Sequence, residues 1–487
     1  MVGEESTLPR KTELCIVWGV VVVGFLLRFF YVTHQSLWYD ELFNVSAISQ
    51  NFSPVLKILW EAENHPPLYI ILLKGWVGIF GLSDLSMRGF SVVAGTLLLF
   101  YLYKLIKTIA GQKTALIALM LSSVSPLLIY YSQEVRNFSV WLLFSTASFS
   151  YFFERVLLGK KRELLWTAST ILALYTHIFS IFILPVQLLL WFVITFQKKE
   201  KLFTPPSFSS VLSMAALLMA IIPLVLWALG HKNNYAGFQK EFSFAHILYL
   251  PFAWTYGFSL GPSINELHTM TFYDVCSNYL MEVGGATLSM LIVLIAGIWA
   301  VRRNAFFMWI AALLIIISGL IVSTPFFSFI SFNVRSSLFL FPFFLLFLAI
   351  GIQELWKRTI GPLFPSLMIG FMLLATFQYF FASKYFRDDL RGAIEITKSD
   401  PETKVFVTGL CTDFAMHYYG DKNKEVHYFN NEGFNQLQME KRVWVLWNRL
   451  WLYNNRAMFE DCVHKQFKTI REENLPGIKV ELFEREQ

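Results

Sequence analysis

The sequence predicts a polytopic α-helical membrane protein of about eleven spans, followed by a small α/β domain. Three observations carry that prediction. Of the 487 residues, 55% are hydrophobic, 15% are charged and 49 are Phe, with a mean hydropathy of +0.51. A soluble domain of this length has no interior large enough for so much apolar surface, whereas a polytopic protein faces lipid with it. Apolar runs of spanning length recur through the first 382 residues, and from about Tyr385 the composition turns mixed and charged. The net charge of +6 is small for the length and gives no argument for a nucleic-acid partner.

The first run, "LCIVWGVVVVGFLLRFFYV", is followed by no small-residue cleavage site and reads as a retained span. Runs follow near 89–106, 114–131, 138–156, 163–179, 180–197, 209–229, 283–301, 305–323, 336–355 and 362–381. Basic clusters fall at alternate ends: Arg10 and Lys11, "KLIKTIAGQK" (104–113), "GKKR" (159–162), "QKKEK" (197–201), "VRRN" (301–304) and "WKR" (356–358). The positive-inside rule puts all six on the cytoplasmic side, with the N-terminus. "HPPLYIILLKGWVGIF" (65–80) is apolar too. As a helix it would reach only about 24 Å, short of a hydrocarbon core of about 30 Å. It is expected as an interfacial helix in the first external loop, started by its Pro pair.

This topology makes 34–88 and 230–280 large external loops, with "SQEVRN" (132–137), "THIFS" (176–180) and "SFISFNVRSS" (328–337) as short ones. It also makes 1–382 a membrane domain and 383–487 an external domain. In the latter, "KVFVTG", "EVHYF", "RVWVLW" and "IKVELFE" read as strands, alternating with helical stretches such as "RAMFEDCVHKQFKTIREE". No glycine-rich phosphate loop interrupts them. The cysteines Cys15, Cys276, Cys411 and Cys462 show no metal spacing, and Cys411 with Cys462 is the pair an oxidising compartment would join.

Charged and titratable residues return to the external surface. Asp40 and Glu41 follow the first span, and His65 precedes the Pro pair. Arg88 begins the second span; Glu134 and Arg136 lie in "SQEVRN", His177 in "YTHIF" and Arg335 in "FNVRSS". Singly, each has an ordinary reading. Acids solvate a helix end, arginines snorkel to lipid phosphates, and His65 and His177 serve as turn or hydrogen-bonded interfacial residues. Arg28, late in the first span, is a charge inside an otherwise nearly clean set of spans.

In order, however, "SLWYDELF", "HPPLYIILLKGWVGIFGLSDLSMRGFSVVAG", "LLIYYSQEVRNFSVWLLF", "YTHIFSIFILPVQLLLW" and "FNVRSSLFLFPF" resemble the bacterial glycosyltransferase family 39-like proteins. These are relatives of the dolichyl-phosphate-mannose protein mannosyltransferases and of the aminoarabinose lipid A transferases, with the GT-C membrane fold. "DDLRGAIEI" resembles the family's post-membrane segment. The resemblance implies a polyprenyl-phosphate sugar donor, an external active site on a bacterial inner membrane, and inversion at the anomeric carbon. The acceptor would be a glycan, a lipid such as lipopolysaccharide, or a protein. It puts the family's first-loop acid on Asp40 with Glu41 beside it, and its second-loop acid on Glu134, where some relatives carry Asp. Its basic residue near the donor phosphate falls on Arg335, although Ser336 follows where relatives often have Tyr.

The chemistry suits such a transfer. A base must take the acceptor proton, and fixed positive charge must meet the departing phosphate. Asp40 is expected as the base, Glu41 as its orienting or acceptor-binding neighbour, and Arg335 as the first phosphate ligand. Arg88, Arg136 and His65 are secondary phosphate ligands, and Glu134 an acceptor or metal ligand. His177 is a further substrate contact. A divalent metal on Asp40, Glu41 or Glu134 is compatible with the sequence and not required by it. The rival readings are a transporter or flippase for a lipid-linked saccharide, and a binding partner that holds such a saccharide without catalysis.

Overall fold

The computed structural model describes residues 8–49, 66–198, 208–230, 244–263, 266–267, 270–322, 334–408, 413–421, 426–429, 431–449, 461 and 463–485. Its helices begin with α1 Arg10–Phe29, α2 Tyr39–Ser49, α3 Leu68–Phe80, α4 Asp84–Ala110, α5 Gln112–Val124, α6 Pro126–Ser132 and α7 Phe138–Leu158. They continue with α8 Glu163–Thr176, α9 Ile183–Gln197, α10 Phe208–Gly230, α11 Phe244–Tyr256, α12 Phe272–Tyr279, α13 Gly285–Ala300 and α14 Ala305–Val322. α15 Phe341–Leu355 and α16 Leu363–Phe381 precede the C-terminal helices α17 Leu390–Thr397, α18 Asp413–Tyr419 and α19 Asn431–Leu437. The strands are β1 Lys404–Val407, β2 Val426–Tyr428, β3 Arg442–Asn448, β4 Phe467–Leu475 and β5 Ile478–Arg485. The chain forms two compact units. Unit 1 is Met1–Phe30, Asn51–Leu260 and Met281–Thr376; unit 2 is Tyr31–Gln50, Gly261–Leu280 and Phe377–Gln487.

Each apolar run read from the sequence falls on a helix. Among the described residues seven are long and apolar enough to cross a membrane, eight when α5 and α6, bent by 57° at their junction, count as one broken span. The other three runs fall short for visible reasons. α8 has 14 residues, the described apolar part of α14 ends at Gly319, and α7 carries Ser139, Ser145, Thr146, Ser148 and Ser150. Those five side chains are buried, so α7 turns its polar groups inward. α3 has 13 residues after Pro67, too few to cross.

In unit 1, α4 packs on α7, α7 on α8, and α13 on α15. The Val334–Leu355 stretch is 89% buried, so this apolar span is core rather than lipid-facing. α13 and α15 approach at backbone distance: a Cβ on Gly297 would land on the Phe347 carbonyl, and one on Gly351 on the Val293 carbonyl. Side chains from different basic clusters meet in unit 1. Lys104, Lys160 and Arg162 surround Glu154 at 3.0, 3.1 and 2.9 Å. Lys107 pairs with Glu13, and Lys198 donates to the Val156 carbonyl. Arg302 and Arg358 lie over the same Trp299 ring, at 3.5 and 5.6 Å.

Unit 2 carries a five-stranded sheet of order β2-β1-β3-β5-β4. β2, β1 and β3 are parallel, while β5 runs antiparallel to β3 and β4. Its core gathers Phe406, Val443, Val445, Trp447, Phe467 and Phe483. The four strands read from the sequence are present. "QFKTIREE", expected as the end of a helix, is instead β4. It lies at the sheet edge with a register shift between Thr469 and Arg471, and Pro476–Gly477 turns it back onto β5, with Gly477 at φ 70° where a side chain would be strained. Cys411 and Cys462 lie outside the described residues.

Candidate functional site

The sequence-derived site residues fall into both units. Asp40 and Glu41 are in unit 2; Arg88, Glu134, Arg136, His177 and Arg335 are in unit 1. His65 lies outside the described residues.

Asp40 and Glu41 open α2, and their environments differ. Asp40 is half-buried. Glu41 is fully buried; its Oε2 accepts the Trp38 N–H at 3.2 Å, satisfying one of the orphan donors of the helix start, and faces Arg387 Nη1 at 3.8 Å. Adjacent residues on a helix point about 100° apart, so burying Glu41 leaves Asp40 on the flank. Burial, and then the charge of Asp40, push the neighbouring Tyr39 phenol above its ordinary range.

In unit 1 the loop Gln133–Asn137 is held from several sides. Gln133 Nε2 donates to the carbonyls of Arg28 (2.8 Å) and Phe30 (2.6 Å), Ser91 Oγ donates to the Glu134 carbonyl (2.6 Å), and Asn137 Nδ2 to the Thr176 carbonyl (3.0 Å). Two arginines approach one ring beside this loop: the guanidinium carbons of Arg136 and Arg335 lie 5.9 and 5.3 Å from the Phe138 centroid. Tyr131, 5.0 Å from Phe138, lies in the fields of both Glu134 and Arg335. Arg335, far from Glu134 and Arg136 in the sequence, therefore shares their neighbourhood. Arg88 is buried on the first turns of α4, one turn before Ser91. His177 is buried and stacked on Trp141 at 3.8 Å, its Nδ1 accepting the Phe179 N–H.

Tyr131, Phe138 and Arg28 were not among the sequence-derived candidates. Arg28 is fully buried. Its Nη2 donates to the Ser122 carbonyl at 3.0 Å, and its Nη1 to those of Ser123 (3.1 Å) and Gly24 (2.8 Å). Pro126 has no N–H for the Ser122 carbonyl, so the helix break frees acceptors that Arg28 fills. Thr376 supplies a donor to the Val124 carbonyl. Gly24 and Gly95 leave the room: a Cβ on Gly24 would collide with Leu99 and crowd the guanidinium, and one on Gly95 would collide with Ser132. An arginine in a span followed by Ser-Ser-Val-Ser-Pro was the available signal. Among the described residues no three His, Cys, Asp or Glu side chains gather as a metal-holding group.

The architecture is that of a GT-C membrane protein. Residues 64–229 match the family model described as dolichyl-phosphate-mannose-protein mannosyltransferase. Compared with curated proteins, the chain has no match. Among solved structures it is similar to ArnT from Cupriavidus metallidurans in the apo state, with TM-score 0.56 and 10% identity over 97% of this chain and 98% of that one. The same protein bound to undecaprenyl phosphate gives 0.51, also at 10% identity, with 97% and 98% covered. The archaeal oligosaccharyltransferase AglB from Archaeoglobus fulgidus, in complex with an inhibitory peptide and a dolichol-phosphate, gives 0.54 and 11% identity over 98% and 74%. At these identities the likeness is one of fold, and it agrees with the resemblance read from the ordered motifs. With its apolar helices, the chain is an integral membrane protein.

Proposed function

We propose that this protein is an inverting glycosyltransferase that moves a hexosyl or pentosyl unit from a polyprenyl-phosphate donor to an acceptor on the extracytoplasmic face. The observation that carries the reading is the meeting of Glu134, Arg136 and Arg335 around Phe138 and Tyr131 within a GT-C fold. Lipid phosphates bound by two proteins of similar fold support the choice of donor. Asp40 takes the proton of the acceptor hydroxyl as that oxygen attacks the anomeric carbon. The carbon–oxygen bond to phosphate breaks on the opposite side, and the phosphate leaves with its electron pair. Arg335 and Arg136 meet the charge that develops there, since a guanidinium fork matches phosphate oxygens and keeps its proton. Arg88 and His65 are the further phosphate ligands, Glu134 takes an acceptor hydroxyl, and Glu41 orients Asp40. Residues 1–382 form the catalytic membrane domain, and 383–487 an extracytoplasmic domain, in a bacterial inner membrane with the N-terminus cytoplasmic.

The transporter reading has less support. A transport path wants ionisable groups that line it, whereas Arg28 is fully buried on backbone carbonyls of a helix break. The test uses purified protein in nanodiscs with a panel of radiolabelled polyprenyl-phosphate sugars, with cell-envelope extract as acceptor, with and without chelator. Transfer or slow hydrolysis of one donor by wild type, abolished in Asp40→Asn and reduced in Arg335→Ala, is expected. Equal donor binding by wild type and Asp40→Asn with no turnover in either would replace the enzyme by a saccharide-binding partner.

A further inference from the structure

The stretch ahead of Asp40 has little regular structure of its own: a turn over 31–34, an irregular piece over 35–38, and then α2. Its polar groups are taken up, residue by residue, by unit 2's segment 386–391 and its surroundings. The carbonyls of Thr33 and His34 accept Arg391 Nη2 at 3.2 and 2.7 Å. Gln35 Oε1 accepts the Arg387 N–H at 3.0 Å. Ser36 Oγ donates to the Asp388 carbonyl at 2.9 Å and accepts the Leu390 N–H at 3.1 Å. The Leu37 N–H donates to the Tyr419 hydroxyl at 2.7 Å. Trp38 lies under Arg449 at 5.5 Å, and Arg449 pairs with Asp388 at 2.8 Å. Arg449 holds φ at 44°, a left-handed conformation seldom taken by residues other than glycine, asparagine and aspartate.

We infer that segment 386–391 is the template on which the first-loop acids are set, and that Arg387 is a positioning residue for Asp40, acting through Glu41. The chemical part rests on the glycosyltransferase reading above; the packing part does not. Glu41 is fully buried and Arg387 nearly so, so each helps the other to keep a charge out of water. With Glu41 held ionised, its carboxylate caps the Trp38 N–H and fixes the first turn of α2, and that turn sets the direction of Asp40. Without Arg387 the buried carboxylate loses part of its compensation and the turn rearranges, leaving Asp40 chemically intact but misaimed. The backbone bonds from Gln35, Ser36 and Arg391 add register, so the C-terminal residues are a working part of the site.

The experiment compares full-length wild type, Arg387→Gln, Arg387→Lys, Glu41→Gln and the Glu41→Gln/Arg387→Gln double variant in nanodiscs. Exposed Arg471→Gln serves as the unchanged control. Hydrogen–deuterium exchange over residues 33–48 is expected to rise about tenfold or more in Arg387→Gln, reporting local opening independently of activity. Binding of undecaprenyl phosphate is expected to stay within about threefold of wild type, while kcat falls about 10–100-fold, the range for groups that orient a functional side chain. Arg387→Lys should fall between, and the double variant should lose no more than Arg387→Gln alone, because the two act as one unit. Unchanged exchange in Arg387→Gln, or additive losses in the double variant, would overturn the inference. If wild type turns over no donor, the glycosyltransferase reading fails, and exchange still decides whether the template exists. Should Arg387→Gln not fold, Arg391→Gln carries the same exchange test through the Thr33 and His34 carbonyls.

Discussion

Two buried arginines, one in each unit, meet opposite kinds of partner. Arg28 in the helical unit has backbone carbonyls as its hydrogen-bond acceptors, those of Gly24, Ser122 and Ser123. Arg387 in unit 2 faces the carboxylate of Glu41. A membrane helix normally consumes its own carbonyls, and besides sharing the Gly24 carbonyl of its own helix, the Arg28 guanidinium finds acceptors where Pro126 breaks the ladder. The C-terminal unit has charged side chains to spare and uses ion pairs. Of these, Arg449–Asp388 is a further mostly buried example.

The contrast can be broken from its stronger side first. Arg28→Met strands two buried carbonyls, at about 1–3 kcal/mol each. A loss of roughly 2–6 kcal/mol is therefore expected in thermal unfolding of the detergent-solubilised protein. Adding Pro126→Ala, which returns an N–H to the Ser122 carbonyl, should recover part of that loss. No recovery would mean the break itself is not what Arg28 serves. In unit 2, Glu41→Gln removes one partner of a buried pair and is expected to cost about 3 kcal/mol. A cost near zero would show that the pair is solvated.

Smaller still is Trp447→Phe. The indole N–H donates to buried Glu481 Oε2 at 2.6 Å, and Lys479 holds the other oxygen at 2.9 Å. Losing the indole is expected to cost about 1–2 kcal/mol because the lysine remains. The smallest effect is one of pH. Burial works to raise the Glu266 pKa, but the Ser263 N–H, the Tyr279 hydroxyl and nearby Lys384 outweigh it and hold it below the ordinary value of 4.5. Ionised Glu266 thus stabilises the fold above that ordinary value, and the contribution fades as pH falls through the lowered folded-state pKa. The Tm gap between wild type and Glu266→Gln should therefore narrow between pH 6 and about pH 3. A constant gap would assign Glu266 a role that does not depend on its charge.

Much of the fold was legible in the sequence because apolar length and positive charge are local signals. Lys104, Lys160 and Arg162, from two of the basic clusters, meet on Glu154. β4 was misread because "KTIREE" carries charges that suit a helix face, and only pairing with β5 decides between the two. The site was legible in part. The resemblance selected Asp40, Glu41, Glu134 and Arg335, but Glu41 takes its burial and its partner from a segment hundreds of residues later. Tyr131 and Phe138 look like ordinary span aromatics until Arg335 arrives beside them. Arg28 shows as an oddity in the sequence and acquires a purpose only next to the proline break.

The glycine contact between α13 and α15 bears on how variation in this protein is to be read. Gly297 and Gly351 sit where even a methyl group would meet a carbonyl of the facing helix. A saturation library scored for surviving function should find both positions as intolerant as the proposed base Asp40, with alanine already failing. Intolerance at the glycines would be erased along with protein abundance, whereas intolerance at Asp40 would leave abundance untouched. Scoring each variant for amount as well as activity would therefore sort the residues that build this protein from those that use it.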